Sequence, residues 1–297
     1  SGVANACTGV EGDEACALEA KTAGEALGIP ADAVLLGSTG VIGMQLPMDR
    51  MCAGIKALPE LLDYTKEAGT LAAEAIMTTD TVKKQWAVET VLDGKKVTIG
   101  GIAKGSGMIH INMGTTLSFV TTDAAISSEM LKSALIEAAD VSYNMVSVDG
   151  DTSTNDTLAI MASGYAGNKE ITEKNDDYKT FTAVLTDAFK KVAKKLAKDG
   201  EGATKLLICK VDGAKDDKSA KIISKSIICS SLVKAAMFGA DANCGRILCA
   251  IGYSGAETDV KRIDVSYKSA KGEILVCKDG NLSLIHISEP TRPRLIS

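Results

Sequence analysis

The sequence predicts an α/β fold, layered but without strict βαβ repetition, and three observations carry that reading. Phe181, Val184, Leu185, Ala188, Phe189, Val192 and Leu196 recur at i, i+3, i+4, i+7 spacing, which makes a strongly amphipathic helix. AVETVLDGKKVTIGGIAKG (87–105) sets Asp93-Gly94 between two arms of alternating apolar residues, the signature of a hairpin. Short apolar runs alternate with helical patterns along the rest of the chain, as mixed layers require.

Each element follows from local signals. Residues 13–27 alternate alanine and charge at helical spacing and stop at Gly28-Ile29-Pro30. AVLLGSTGVIG (33–43) reads as a buried strand running into a glycine turn. Pro59 opens a helix through ELLDYTKEAGTLAAEAIM (60–77). After the hairpin, TTLSFVTTDA (115–124) reads as a strand. SSEMLKSALIEAAD (127–140) reads as a helix with a serine cap and glutamate in its first turn. VSYNMVSVDG (141–150) returns to strand. On the amphipathic helix, Lys190, Lys191, Lys194, Lys195 and Lys198 form a solvated face. KLLICKVDG (205–213), RILCAIGYSG (246–255) and EILVCKDG (273–280) read as strands, and 219–239 as one helix. A boundary near Asp199-Gly200 divides a main domain, 1–199, from a smaller one, 200–281. The stretch LSLIHISEPTRPRLIS (282–297) lacks either periodicity, resembles a translated sequencing adapter, and is expected to be a non-native tail.

Composition narrows the function. The 297-residue chain has a formal charge of −5, no basic tail and 4% aromatic residues, so neither phosphate binding nor base stacking is favoured and no nucleic-acid partner is expected. No apolar run reaches the length of a membrane span, so no membrane partner is expected. Eight cysteines form no CxxC pair, and several lie in apolar runs, which suits reduced, buried thiols of a cytoplasmic protein. Only His110 and His286 are present, which leaves little for a histidine metal site or a Ser-His-Asp triad. No metal and no tightly bound cofactor are expected. DGDTSTNDT (149–157) follows a calcium loop through Asp149, Asp151, Ser153 and Asn155. It then places Thr154 where the turn glycine belongs and Ile160 where the final glutamate belongs. It reads instead as a loop of side-chain-to-backbone hydrogen bonds.

KGSGMIHINMGTTLSF (104–119) holds Gly114-Thr115-Thr116 between a lysine-glycine loop and an apolar strand. Most Gly-Thr pairs are turns. A threonine hydroxyl is a weak nucleophile without a base beside it. Cutting before Thr115 would free an α-amine, a group that ordinarily titrates at about 7.7–8.0, to act as that base. Gly114 would leave the bond unobstructed.

Seven motifs in one order change the weight of that stretch: ANACTG (4–9), STGVIG (38–43), AIMTTDT (75–81), 103–124, VDGDTSTNDT (148–157), DGEGATK (199–205) and the GRI…GYSG run (245–255). Together they resemble the ornithine acetyltransferase family, the glutamate N-acetyltransferases of arginine biosynthesis, over residues 1 to 281. The resemblance implies a layered α-β-β-α sandwich with a second, smaller α/β domain. It implies a chain that cuts itself between Gly114 and Thr115 into α and β pieces, assembled as an α2β2 tetramer. Thr115 would carry an acetyl group from N-acetylornithine to glutamate, and some members also accept acetyl-CoA. Thr39 and Gly40 fall on the family's oxyanion pair. Thr78, Lys104, Thr115 and Glu201 fall on its substrate-binding positions, Lys104 toward a carboxylate and Glu201 toward the ornithine ammonium. Read without the family, Thr78 is a turn residue, Lys104 a solvated loop lysine and Glu201 a surface acid.

The chain departs from the family at Val3, Ile111, Ala242 and Cys244, and with Gly rather than Ala before Thr115. The resemblance also implies family residues before Ser1 and after 281, so a chain without them is expected to be an inert fragment if those ends complete the site. A rival reading is an N-terminal-nucleophile amidase or aminopeptidase, which passes the acyl group to water rather than to glutamate.

Overall fold

The computed structural model describes residues 2–110 and 116–282, and resolves into two compact units, Ser1–Ala203 and Thr204–Ser297. Ile111, Gly114, Thr115 and the 283–297 part of the tail lie outside the described residues.

In the first unit the helices α1 (Gly9–Leu27), α2 (Met48–Ala57) and α3 (Lys66–Ala75) precede the hairpin β1 (Lys84–Leu92) and β2 (Lys95–Lys104). Then come β3 (Ile109–His110), β4 (Leu117–Thr122), α4 (Ser128–Asp140), β5 (Ser147–Thr152), β6 (Thr157–Ala162) and α5 (Asp176–Lys198). The sheet order is β1-β2-β4-β6, antiparallel except for the parallel β4–β6 pair, and β3 pairs with β5 in a separate two-stranded sheet. The hairpin turns at Asp93 (φ 48°) and Gly94 (φ 71°), two left-handed residues whose twist matches the flanking strands.

The amphipathic stripe of α5 makes the core. Phe181, Leu185, Phe189 and Leu196 are fully buried, while the lysines read as a solvated face lie on the opposite side, Lys190, Lys191, Lys194 and Lys198 among the exposed residues. Phe189 meets Trp86 and Tyr143 edge-on, with ring centroids 6.0 and 5.0 Å apart. The Tyr143 hydroxyl shares a 2.9 Å hydrogen bond with Ser118 on β4, so the ring is anchored at its polar end too. Alternate residues of β4 (Ser118, Val120, Thr122) are buried, while Phe119 is only partly covered and Thr121 is exposed.

Several expectations need correction. Residues 33–43 form no ladder among the described residues beyond a bridge from Val41 to Val3, and Leu35 is 55% exposed. An apolar run marks a strand only when a partner strand lies beside it. The segment instead lays Gly37 against β4, where an added Cβ would come 3.0 Å from the Phe119 ring. The helix expected from Pro59 breaks into a 3₁₀ turn, Leu58–Leu61, and α3. Asp63 captures the Tyr64 N–H and Thr65 caps Ala68, so short side chains compete with the helix ladder. The expected strand at 141–150 begins with a 3₁₀ turn, Tyr143–Met145, and β5 starts only at Ser147. α2 carries no strong start signal in the sequence, since Pro47 before it offers no side-chain cap.

In the second unit, α6 (Asp217–Cys229), α7 (Ser231–Phe238) and α8 (Cys244–Gly252) precede a sheet of β7 (Val265–Ser269), β8 (Gly272–Lys278) and β9 (Asn281–Leu282). The single helix expected at 219–239 is two, because Ser230 ends α6 and its hydroxyl accepts the Val233 N–H to start α7. RILCAIG, read as a strand, is part of the helix α8. A short apolar run fits either state, and the Asn243 side chain decides it by accepting the Arg246 N–H at 3.1 Å. Residues 205–212 are not paired into a strand among the described residues. The cysteines are all free, but only Cys244 and Cys277 are buried, while Cys7, Cys16 and Cys249 are exposed, against the expectation of buried thiols.

Candidate active site

One end of the main sheet gathers the chemistry. Register places Lys104, the last residue of β2, beside Leu117 of β4, and Leu117 beside Thr157 of β6. Lys84, the first residue of β1, pairs with Ala103 one position away. The loop 78–82 and the segment after α5 close over the same end through hydrogen bonds to Lys84, Lys104 and Gly105.

Lys84 is the buried tie. Its side chain is 0% exposed, and its ammonium donates to Asp80 Oδ1 at 2.5 Å and Asp199 Oδ2 at 2.6 Å. Asp199 also accepts from the Thr81 hydroxyl and N–H, and Asp80 accepts from the Gly105 N–H at 2.7 Å and the Thr78 N–H at 3.3 Å. Burial alone would raise both carboxyls. The hydrogen bonds from Gly105 and Lys84 on Asp80, and from Lys84 and Thr81 on Asp199, outweigh it and hold both below their ordinary values.

Lys104 is 7% exposed rather than a solvated loop lysine, and it donates to Thr78 Oγ1 at 2.6 Å and reaches Thr39 Oγ1 at 3.4 Å. Burial lowers its pKa, opposed by the charge of Asp80 and reinforced by that of Lys84. Gly40, next to Thr39, has φ 128°, and an added Cβ would stand 2.1 Å from the Gly2 carbonyl, so only glycine fits. Its N–H meets no acceptor among the described residues. The Glu201 N–H donates to Ser106 O at 2.9 Å, and its carboxyl lies so close over Gly107 that a Cβ there would be 2.5 Å away. Glu201's charge acts on Lys104, although Glu201 itself is exposed. The structure thus brings Thr39, Gly40, Thr78 and Lys104 together with Glu201 at their margin. The expected cleavage pair, Gly114 and Thr115, leads directly into Thr116 at the start of this cluster but is outside the described residues.

Sequence reasoning assigned no role to several residues that the fold collects here. Asn5, Ser38 and Asn155 join three of the ordered motifs. Asn5 N–H donates to Ser38 Oγ at 2.9 Å, and Asn155 Nδ2 donates to the same oxygen at 3.0 Å. Around Asn155 the acidic loop carries the side-chain-to-backbone hydrogen bonds expected of it, with Asp151 N–H donating to Asp149 and Asn155 N–H to Ser153. Among the described residues no cluster of metal-ligating side chains forms. Asp156 takes a hydrogen bond from the Thr116 N–H, and burial pushes its carboxyl up to about 7 despite the Lys104 charge. Asp80 and Asp156 lie inside the ordered motifs. Lys84 gives no signal, because a lysine opening an alternating strand reads as exposed.

Replacing Lys84 by Met leaves two buried carboxylates without a cation, and is expected to cost about 3–5 kcal/mol at pH 7. Asp80 and Asp199 are depressed in the folded chain, so their contribution is present above the unfolded carboxylate value of about 3.9 and is lost as pH falls through the lower folded values. Urea unfolding should therefore show the Lys84→Met deficit of pH 7 shrinking only once the pH is taken below about 3.9, to about pH 3. An equal deficit at both pH values would contradict the ion-pair account.

The ArgJ family model matches residues 1–292. The arginine biosynthesis bifunctional protein ArgJ 1 of Clostridium acetobutylicum is 50% identical over 280 residues, which cover 94% of this chain and 68% of that protein. The arginine biosynthesis bifunctional protein ArgJ of Thermotoga neapolitana is 46% identical over 298 residues, all of this chain and 74% of that protein. Among solved structures, the crystal structure of ArgJ from Bacillus halodurans is 44% identical with a TM-score of 0.52, over 56% of this chain and 76% of that one. Matched along nearly its whole length by a family model and by half-identical relatives, the chain belongs to the ArgJ family.

Proposed function

We propose that the chain transfers an acetyl group from N2-acetylornithine to glutamate in arginine biosynthesis, through an acetyl ester on Thr115. The observation that carries this reading is Lys104, buried yet, among the described residues, bound only by hydroxyls, at the sheet end that adjoins Thr116. A buried cation without a touching carboxylate is poised to meet an anionic ligand.

The chemistry needs no metal. The Thr115 hydroxyl attacks the acetyl carbonyl, and its own α-amine takes the hydroxyl proton. The oxyanion forms between the Thr39 hydroxyl and the Gly40 N–H, a donor with no other acceptor among the described residues. Ornithine leaves, glutamate attacks the ester, and N-acetylglutamate departs. Lys104 and Thr78 receive the substrate carboxylate, and Glu201 pairs with the ornithine ammonium. The word bifunctional in the relatives' names suits a second donor, acetyl-CoA. The family reading further supplies the α-β-β-α sandwich, the division into domains near residues 199 and 281, and an α2β2 assembly of cut chains. Eight free cysteines favour a cytoplasmic setting.

Thr115→Ala is expected to abolish both cleavage and glutamate-dependent consumption of N-acetylornithine, because one hydroxyl serves both steps. A cleaved Thr115→Ala chain would refute the assignment. Acetate release that needs no glutamate would favour the amidase reading instead. Glu201→Ala is expected to raise the KM for N-acetylornithine about tenfold through loss of a charge-assisted hydrogen bond. An unchanged KM would remove Glu201 from the site.

A further inference from the structure

The charges of the cleft do not balance around its lysines. Asp80 and Asp199 are matched by Lys84 in direct ion pairs, whereas among the described residues Lys104 hydrogen-bonds only to hydroxyls. Among the described residues that leaves two carboxyl groups near Lys104 without a direct ion pair, Glu201 and Asp156. Glu201 is exposed and can be solvated. Asp156 is not so placed. It sits one residue before β6, level with the start of β4 and the end of β2, and its carboxyl accepts the Thr116 N–H. Its Oδ2 is buried and meets no hydrogen-bond partner among the described residues.

A carboxylate oxygen held out of water without a donor is costly, and the fold gains nothing visible from it. The tie to Thr116 uses one oxygen only. Among the described residues the second oxygen is left open to a donor. Lys104 on β2 is the charged group acting on it, and burial leaves the carboxyl able to exchange a proton near neutral pH.

We propose that Asp156 is the proton acceptor for the amino acid that receives the acetyl group. This inference rests on the reading of Thr115 as the acetyl carrier. Glutamate arrives as an ammonium and cannot attack until its nitrogen is freed. One proton passes from the nitrogen to Asp156 Oδ2. The nitrogen then bonds to the acetyl carbon, the carbon–oxygen bond to Thr115 breaks, and the second nitrogen proton passes by way of the Thr115 α-amine to the released Thr115 oxygen. Asp156 returns its proton to water. Run backward, the same path hands a proton to the departing ornithine nitrogen in the first half of the cycle.

Asp156→Asn is the informative variant, since its amide oxygen still accepts the Thr116 N–H but the group cannot take a proton. The cleaved chain is loaded by long incubation with N-acetylornithine and freed of ornithine. It is then mixed with glutamate between about pH 6 and about pH 8, bracketing the range where such a base titrates. Loss of one acetyl mass from the 115–297 piece is followed by intact mass. In the wild-type chain the transfer rate is expected to rise with pH through about 7, where Asp156 loses its proton. In Asp156→Asn the rate is expected to fall about hundredfold or more and to lose that rise. Asp156→Glu should recover part of the rate. Transfer by Asp156→Asn at the wild-type rate with the same pH rise would overturn the inference. So would an uncut Asp156→Asn chain, which would place Asp156 in maturation instead. A wild-type chain that cuts but never gains the acetyl mass would sink the Thr115 reading and this inference with it.

Discussion

The site depends on an ammonium that water cannot reach. Lys84 joins Asp80, in the loop before β1, to Asp199, just beyond α5, two segments separated by more than a hundred residues of chain. Removing two carboxylates and a lysine from water is unfavourable unless every group finds a partner. The fold meets that condition by turning backbone and hydroxyl donors of Thr78, Thr81 and Gly105 onto the same carboxylates. The loop carrying Thr78 is thereby fixed over the end of β2, and Lys104 is fixed beneath it. What Lys84 satisfies, Lys104 lacks. The first lysine serves structure, and on the proposed reading the second is left for a ligand.

On the proposed reading, that division suits the cleft to a zwitterionic substrate. Lys104, with Thr78 and Thr39 at its ammonium, offers a place for a carboxylate. Glu201 and Asp156 offer places for ammonium groups. The two carboxyls differ in solvation, one exposed and one with a buried, unpartnered oxygen, and the difference suits them to different tasks. An exposed carboxylate stays charged and can hold a cation. A half-buried one can change its charge during turnover.

Much of this was legible in the sequence, and the pattern of what was not is physical. Periodicity located α5, the Asp93-Gly94 hairpin and α4 because each carries its own stop or cap. It failed at 33–43 and 246–255, where an apolar run says nothing about whether a partner strand exists. The Asn243 cap that makes 246–252 helical was in plain view but outweighed by the apolar run. Thr39, Thr78 and Lys104 were found through ordered motifs, since no local pattern reveals that residues 39, 78 and 104 share one hydrogen-bonded centre. Lys84, Asp199 and Asp156 were missed as actors, because burial and partnership across the fold are tertiary facts. Asn5, Ser38 and Asn155 explain afterwards why three separate motifs occur together.

The central claim is that this sheet end is built around a threonine freed by cutting the chain. The intact mass of the purified chain tests it most directly. The account expects two pieces, 1–114 and 115–297, that remain associated under native conditions. A single uncut mass, in a chain whose unfolding is cooperative, would contradict it: the cleft would then be assembled around Lys104 without ever making the nucleophile it is proposed to serve.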